Sequence, residues 1–254
     1  MKMDIYFIET VKWLDFLESI ADIYDIIAPF SYNESLIYQP LSRLNLHEAV
    51  FGKVRPIQPL KFFLFPFQER IVPQITEYKK EKIIIGPANC DMYALKVLDN
   101  VFLNQEYKDP NYQTRRNNTA IISTDCFHPL SVCFCQILGI KPYPEDGFDL
   151  NLSAMEDGFL IDVGSKKGDE LLGKKDFFRP AKPDEIEERT KIRSKIRLLV
   201  GRHNEKFHLP ADIPENFRGN FNSDIWQHIW HRCVQCGSCT NICPSCVCFF
   251  LEDK

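Results

Sequence analysis

The stretch Lys82-Ile-Ile-Ile-Gly-Pro-Ala-Asn-Cys-Asp91 contains the clearest strand signal in this 254-residue chain. Its branched apolar residues predict a strand that ends at Gly86-Pro87. The residues from Asp91 to Phe102 are expected to form a helix, which places Cys90 in the turn between the two elements. The backbone N–H groups at a helix start favour anions, so a thiolate or an anionic group would be stabilised there.

Strand and helix signals alternate on both sides of this stretch. Further strands are predicted at Tyr24–Pro29, Lys61–Phe65, Thr119–Ser123 and Gly158–Val163, and a helix at Thr10–Ile23. The alternation indicates an α/β (mixed α+β) main domain.

A charged helix is predicted from Pro183 to Leu199, with Gly201 as its stop. Its mixed charges indicate a solvated face, stabilised by i,i+4 pairs between Glu185 and Arg189 and between Glu187 and Lys191. A docking surface is the other interpretation of that face.

The domain organisation follows from the two groups of cysteines and the residues between them. Residues 1–201 form the main domain with the first group, and the Pro- and Asn-containing residues 202–222 form a connection. Residues 223–254 form a short, mostly helical, ferredoxin-like segment with the second group. Ser223 is expected to cap a helix from Asp224 to His231 that leads into Cys233.

The composition limits the kinds of partner. A net charge of −4 argues against nucleic acid, and no apolar segment is long enough to cross a bilayer. The N-terminus has an early acid, Asp4, and no small-residue cleavage site, so we expect a cytoplasmic protein. In that compartment the ten cysteines indicate metal binding rather than a disulfide framework.

The second cysteine group has the more specific spacing. Residues 233–244 read Cys-Val-Gln-Cys-Gly-Ser-Cys-Thr-Asn-Ile-Cys-Pro. This C-x2-C-x2-C-x3-C-P run wraps three thiolates around an iron–sulfur cube and sends the fourth cysteine to another cluster. The three predicted ligands are Cys233, Cys236 and Cys239. The fourth comes from Cys243, Cys246 or Cys248, from a partner, or from residues outside this chain.

The first cysteine group has a less specific spacing. Its members are Cys90, Cys126, Cys133 and Cys135. The second of them follows a predicted strand, and strand carboxyl ends form the binding crevice of an open α/β sheet. Four thiolates suit another 4Fe–4S cube. A tetrahedral zinc ion, or buried cysteines without metal, remain alternatives.

Two basic residues are candidates for tuning a bound cluster. Arg115 and Arg116 lie between the first two cysteines of that group. Their positive charges could offset the charge of a cluster and raise its reduction potential. Two solvated arginines are the other interpretation. No catalytic residue is assigned.

Five blocks of the chain together match one family pattern. They are Lys61–Pro66 with Glu69; Gly86–Asp91 with Ala94, Leu95 and Asp99; Asp109, Tyr112 and Arg115-Arg116; Cys126 and Cys133–Cys135 with Gly139, Pro142 and Asp149; and Cys233–Cys248 with Phe249. In these blocks the chain resembles the iron–sulfur β subunits of cytoplasmic nickel–iron (sulf)hydrogenases and the related iron–sulfur subunits of anaerobic sulfite reductases.

The resemblance implies an electron-transfer subunit without a substrate site of its own. Its partners would be a flavin-containing NAD(P)H-oxidoreductase subunit, which holds the flavin and binds NAD(P), and a catalytic redox subunit. Family members carry a further ferredoxin motif that this chain lacks, so we expect a short form, a fragment or one piece of a split subunit.

Three functions therefore stand at the level of sequence. The first is an electron relay with two 4Fe–4S clusters. The second is a zinc-stabilised protein-interaction module. The third is an enzyme that reduces a small molecule at a cluster with an open iron site, since the second cysteine group could leave one iron without a cysteine. Metal analysis separates the first two.

Overall fold

The computed structural model describes residues 4–53, 56–66, 68–69, 80–173 and 175–248, so Phe249 of the last motif block lies outside it. The strands are β1 (Ile5–Glu9), β2 (Asp25–Tyr32), β3 (Ser35–Pro40), β4 (Lys82–Ile85), β5 (Thr119–Thr124), β6 (Leu150–Ala154), β7 (Gly158–Val163) and β8 (Arg179–Pro180). They form one eight-stranded sheet in the order β3-β2-β4-β5-β6-β7-β1-β8. The predicted α/β main domain is confirmed at this level.

The centre of the sheet is parallel and its edges are antiparallel. Strands β2, β4, β5 and β6 run in one direction, with Ile84 opposite Ile121 and Ile122 opposite Leu150. The pairs β2–β3, β6–β7, β7–β1 and β1–β8 are antiparallel. The carboxyl ends of β4, β5 and β6 therefore meet at one edge of the sheet, as in other open α/β sheets.

The helices lie on the two faces of this sheet. They are α1 (Thr10–Ile20), α2 (Asn89–Phe102), α3 (Pro110–Asn117), α4 (Lys166–Leu171), α5 (Pro183–Asn204), α6 (Ile213–Gly219), α7 (Asp224–Arg232) and α8 (Ser238–Ile242). Short 3-10 turns occupy Leu46–Glu48, Leu60–Phe63, Cys135–Leu138 and Lys175–Phe177.

Strand periodicity divides the core into two parts. Because successive side chains point to opposite faces, Ile83 and Ile85 of β4 pack with Trp13 of α1, whereas Ile84 packs with Leu95 of α2. On β6 the apolar Leu150 and Leu152 belong to the α1 side. The alternate residues of β6 are polar and lie under α5, which places a buried polar layer beside the carboxyl end of β5.

The predicted strand at Lys61–Phe65 is wrong. The structure has a 3-10 turn at Leu60–Phe63, and the amides of Leu64 and Phe65 both donate to the Lys61 carbonyl. Prolines precede and follow this short apolar run, and a run of this length is compatible with either a strand or a helical turn.

The predicted end of the charged helix is also wrong. Helix α5 continues through Gly201 to Asn204, past the predicted boundary at residue 201. A Cβ at Gly201 would lie 3.1 Å from Gln136 Oε1, so the glycine permits a close approach rather than a stop. Only one predicted ion pair forms, between Lys191 and Glu187 at 2.7 Å.

The prediction of a solvated charged face fails at the inner side of α5. Arg189 is buried and pairs with Asp162 of β7 at 2.8 Å rather than with Glu185. Glu185 pairs instead with Arg179 of β8. Charged residues of this helix therefore serve the sheet contact as well as the solvated surface.

The remaining predicted elements are present with shifted ends. The strand at Tyr24–Pro29 begins one residue later and continues to Tyr32, and the helix at Thr10 ends at Ile20. The Ser223 hydroxyl accepts a hydrogen bond from the Ile225 amide, which confirms the predicted cap of α7. No helix in the described part of the chain is long and apolar enough to span a bilayer.

Candidate metal centre

Two cysteines of the first group lie at the carboxyl ends of neighbouring parallel strands. Cys90 is at the start of α2, five residues after β4 ends, and Cys126 follows β5 by two residues. The turns after these strands are joined, because the Gly86 amide donates to the Ile122 carbonyl and the Thr124 amide donates to the Pro87 carbonyl. The expected crevice position of both cysteines is thus realised in the fold.

The other two members follow in the loop after β5. The Cys126 amide donates to the Pro142 carbonyl at 2.8 Å, which closes this loop at its base. The Leu130 amide donates to Cys133 Sγ at 3.2 Å, and the Cys135 carbonyl accepts from the Ile140 amide. All four cysteines of the group are half-buried and none is in a disulfide.

The thiols of this loop affect one another electrostatically. Burial, together with the nearby Cys133 and Cys135, raises the pKa of Cys126 to about 12, while a hydrogen bond from the His128 backbone opposes them. Metal binding would overcome this shift, since a bound metal stabilises the thiolate and releases the proton. His128 therefore contributes through its backbone.

A buried ionic layer supports the residue before Cys126. Asp125 is 2% exposed and its carboxylate accepts from Arg193 Nε at 2.7 Å and from Arg193 Nη2 at 3.0 Å. The same carboxylate accepts from Asn151 Nδ2 at 2.9 Å and from Ser153 Oγ at 2.7 Å. Helix α5 thereby fixes the first residue after β5 from the face opposite α1.

The last residue of α5 reaches the cysteine loop itself. Asn204 Nδ2 donates to the Cys133 carbonyl at 2.7 Å. Because an amide buried in this way loses its water partners, the contact holds the loop carbonyl in place. One helix thus contacts both ends of the segment from Asp125 to Cys133.

The second cysteine group occupies a more open segment. Helix α7 leads into Cys233, and α8 begins after Gly237, whose φ of 72° lies in the left-handed region that favours glycine. Cys233, Cys236, Cys239 and Cys248 are exposed, whereas Cys243 and Cys246 are half-buried. A hydrogen bond from the Ser238 hydroxyl lowers the pKa of Cys236.

Cys243 and Cys246 form a hydrogen-bonded pair that shares a proton. Burial alone would raise the pKa of Cys243, but hydrogen bonds from Cys246 and Ser245 lower it. The same hydrogen bond raises the pKa of Cys246, and the positive charge of Lys61 acts in the opposite direction. A thiolate at Cys243 is therefore favoured before any metal binds.

Lys61 connects this segment to the sheet domain. Its side chain is buried, and Nζ donates to the Thr240 carbonyl at 2.5 Å and to the Cys246 carbonyl at 3.0 Å. Val247 packs on the core cluster that contains Leu60 and Leu64. The residues around Cys243 are therefore docked on the main domain, while α6 and α7 stay exposed.

The side chains are not arranged around a single ion. Among the described residues, all ten cysteines included, no three His, Cys, Asp or Glu are gathered closely enough to hold a metal ion. Two observations nevertheless fit iron–sulfur clusters. Cys126 lies within electrostatic range of Cys133 and Cys135, and the buried Lys61 ammonium has no carboxylate partner among the residues described, where an anionic cluster would balance it.

The two predicted tuning arginines lie at the amino end of β5, on α3. Arg115 is buried, donates to the Leu64 carbonyl at 3.2 Å and pairs with Glu69. Arg116 pairs with Asp99 at 3.2 Å. The cysteines follow the other end of the strand, so the described partners of both guanidinium groups are carboxylates and a carbonyl.

Sequence reasoning missed the residues that position the cysteines. Lys61 was available as a lone cation within the apolar run Leu60–Phe65, which is an unusual place for an ammonium group. Asp125 was available as the acid directly before Cys126. Nothing local to the sequence identifies Arg193 or Asn204 as their partners, because these contacts join distant parts of the chain.

Two relatives were found by sequence comparison. The chain is 28% identical over 246 residues to sulfhydrogenase 2 subunit beta of Pyrococcus furiosus, a match that covers 94% of this chain and 71% of the relative. It is 28% identical over 217 residues to the F420-dependent formate dehydrogenase subunit beta of Methanocaldococcus jannaschii, which covers 80% of this chain. This second match spans only 49% of the relative.

Two further comparisons add little. No protein-family model matches the chain. A chain of the F420-reducing [NiFe] hydrogenase complex from Methanosarcina barkeri is similar at a TM-score of 0.48 and 10% identity, over 81% of this chain and 91% of that one, which is too low to support an argument. The sequence relatives remain, and over most of its length this chain is similar to beta subunits of a hydrogenase and a formate dehydrogenase.

Proposed function

We propose that this chain is an iron–sulfur electron-transfer subunit of a multi-subunit oxidoreductase of the hydrogenase or formate dehydrogenase type. The observation that carries the proposal is the position of the cysteines. Cys90 and Cys126 lie at adjacent strand ends, and the second group lies in a segment anchored to the same domain by Lys61. The similarity to beta subunits over 94% of the chain supports the same function.

Each cysteine group has its own ligand set in this proposal. The first 4Fe–4S cluster is held by Cys90, Cys126, Cys133 and Cys135. The second is held by Cys233, Cys236 and Cys239, with one of the last three cysteines as the fourth ligand. Such clusters accept and release single electrons at potentials set by burial, net charge and hydrogen bonds to sulfur.

The chain's own residues orient these ligands. Arg193 holds Asp125, and Asn204 holds the Cys133 carbonyl, so both ends of the cysteine loop are fixed from α5. The thiols are drawn together when iron enters, because the loop between Asp125 and Phe134 has no helix or strand of its own. The half-buried position limits water near the first cluster, and the second stays open to a partner.

An apolar surface beside the second group fits a partner subunit. Its members lie on α6, on α7 and around them, and each is at least 40% exposed: Ile213, Phe217, Phe221, Ile225, Trp226, Ile229, Trp230, Val234 and Ile242. Only Trp226 has a ring partner among the described residues, Phe217 at 5.7 Å. Exposed apolar patches of this kind mark interaction sites.

The proposed partners follow from the family that the motif blocks resemble. A flavin-containing NAD(P)H-oxidoreductase subunit would exchange electrons with one cluster, and a catalytic redox subunit with the other. The division into a main domain (1–201), a connection (202–222) and a cysteine segment (223–254) stays part of this proposal, with the adjustment that α5 extends to Asn204.

Anaerobic purification and redox spectroscopy test the proposal. The protein should be brown, lose its visible absorption on addition of dithionite, and then show two overlapping EPR signals of reduced clusters. The variants Cys126→Ser and Cys239→Ser should each abolish a different signal. A colourless, folded protein that contains zinc would refute the proposal and favour the interaction module. A second cluster that survives removal of each of Cys243, Cys246 and Cys248 would favour an open iron site.

A further inference from the structure

Lys61 is an ammonium group buried without a carboxylate. The residue is 4% exposed, and its Nζ contacts are the carbonyls of Thr240 and Cys246. Among the described residues no Asp or Glu oxygen lies within ion-pair distance of this Nζ. Burying an unpaired charge is costly, and neutral carbonyls offset only part of that cost. A nearby anion is therefore expected.

The contacts of Lys61 surround one cysteine. Thr240 precedes Cys243 by three residues and Cys246 follows it by three, so the ammonium group bridges the backbone on both sides of that thiol. Val247 then packs on the core next to Leu60. The bond of Lys61 to two carbonyls of the same segment fixes the position of its charge relative to Cys243.

The remaining anion has a natural candidate. A 4Fe–4S cube with four thiolates carries roughly two negative charges when oxidised and one more when reduced. The charge of Lys61 already acts on the Cys246 thiol across this contact. A cluster in the second cysteine group would place its negative charge close to the only buried ammonium that the described residues put against that segment.

We propose that Lys61 is the positioning residue that anchors the second cysteine group to the sheet domain, and that its positive charge raises the reduction potential of the cluster bound there. This inference rests on the proposed function. A cation close to a cluster stabilises the reduced form more than the oxidised form, because the reduced form carries one more negative charge.

Substitutions at Lys61 separate the anchoring role from the charge. Lys61→Met removes the charge and the hydrogen bonds, Lys61→Gln removes the charge but keeps a donor, and Lys61→Arg keeps both. Lys166→Met is the matched control, because that lysine side chain is 92% exposed and its loss changes net charge by the same amount. All variants are made in the full chain and reconstituted anaerobically.

The first measurement is an EPR-monitored redox titration of the signal that Cys239→Ser abolishes. In Lys61→Met the equilibrium constant for one-electron reduction should fall about tenfold, which corresponds to a potential about 59 mV lower. Lys61→Gln should behave similarly, and Lys61→Arg and Lys166→Met should stay within about threefold of the parent. The signal of the first cluster should not move in any variant.

The second measurement is amide hydrogen exchange of residues 238–248 in the metal-free protein. Exchange should be about tenfold faster in Lys61→Met than in the parent and unchanged in Lys166→Met. This measurement does not need a cluster, so it tests anchoring even where no iron binds and the proposed function fails. Unchanged exchange would overturn the anchor, and an unchanged potential in an iron-loaded Lys61→Met or Lys61→Gln protein would overturn the role of the charge.

Discussion

The ionic layer between α5 and the sheet offers the sharpest test of how the first cysteine group is supported. Arg193 makes two hydrogen bonds to Asp125, at 2.7 and 3.0 Å, and a weaker one to Asp162 at 3.3 Å. The guanidinium also lies 4.4 Å from the ring centroid of Tyr143. The substitution Arg193→Met removes the charge while keeping a long apolar side chain.

The expected cost follows from what remains around Asp125. Its carboxylate is 2% exposed and keeps only the Asn151 amide and the Ser153 hydroxyl as neutral donors. Breaking a buried ion pair by removing one partner costs about 3–5 kcal/mol. For a chain of this size that loss corresponds to a melting temperature roughly 6–20 °C lower. Asp162 keeps Arg189 and should contribute little to the loss.

Urea unfolding monitored by circular dichroism measures this cost. The midpoint should fall in Arg193→Met without a change of slope, and iron retention by the first cysteine group should fall with it. The double variant Arg193→Met/Asp125→Asn should recover at least half of the loss, because no buried charge is left unpaired. Lys195→Met, an exposed position on the same helix, is the control. A single-variant cost below about 1 kcal/mol, or no recovery in the double variant, would refute this reasoning.

Two further predictions concern the loops that carry the cysteines. Gly86→Ala should destabilise the protein by about 2–4 kcal/mol and impair iron binding at Cys90, because its φ is 100° and a Cβ would lie 2.7 Å from Pro29 Cγ; Gly139→Ala, with φ 72° and nothing within 4 Å, should cost only about 1–2 kcal/mol, as urea unfolding would show. Equal costs would contradict this account. In the metal-free protein at pH 8, Cys236 should be alkylated much faster than Cys126, because a lowered pKa favours the thiolate of the exposed Cys236 whereas a pKa of about 12 keeps Cys126 protonated. Raising the pH towards 10 should accelerate Cys126 tenfold per unit, and equal rates at pH 8 would contradict the assignment, with peptide mass spectrometry as the measurement.

Periodic and sharply bounded elements could be predicted from the sequence. The run Lys82–Ile85 and the capped helix after Ser223 carry strong local signals, and both are present. Strand β6 has no comparable signal because its alternate residues, Asn151 and Ser153, are buried polar groups rather than solvated ones. The run at Lys61 is predicted as the wrong element because its local pattern does not include the distant segment that it contacts.

The site shows the same division between local and distant information. Cysteine spacing identifies the candidate ligands, since C-x2-C-x2-C-x3-C-P has a defined chemical meaning. The contacts that fix the ligands come from elsewhere in the chain, from Arg193 and Asn204 for the first group and Lys61 for the second. These residues have no spacing relative to the cysteines that sequence reasoning could use.

Metal and sulfide analysis of the anaerobically purified chain tests the central claim most directly. Two 4Fe–4S clusters predict about eight iron atoms and about eight acid-labile sulfides per chain, without stoichiometric zinc. About four of each would mean that one cysteine group is empty. A folded protein without iron and sulfide would contradict the account, whatever its similarity to the beta subunits of other oxidoreductases.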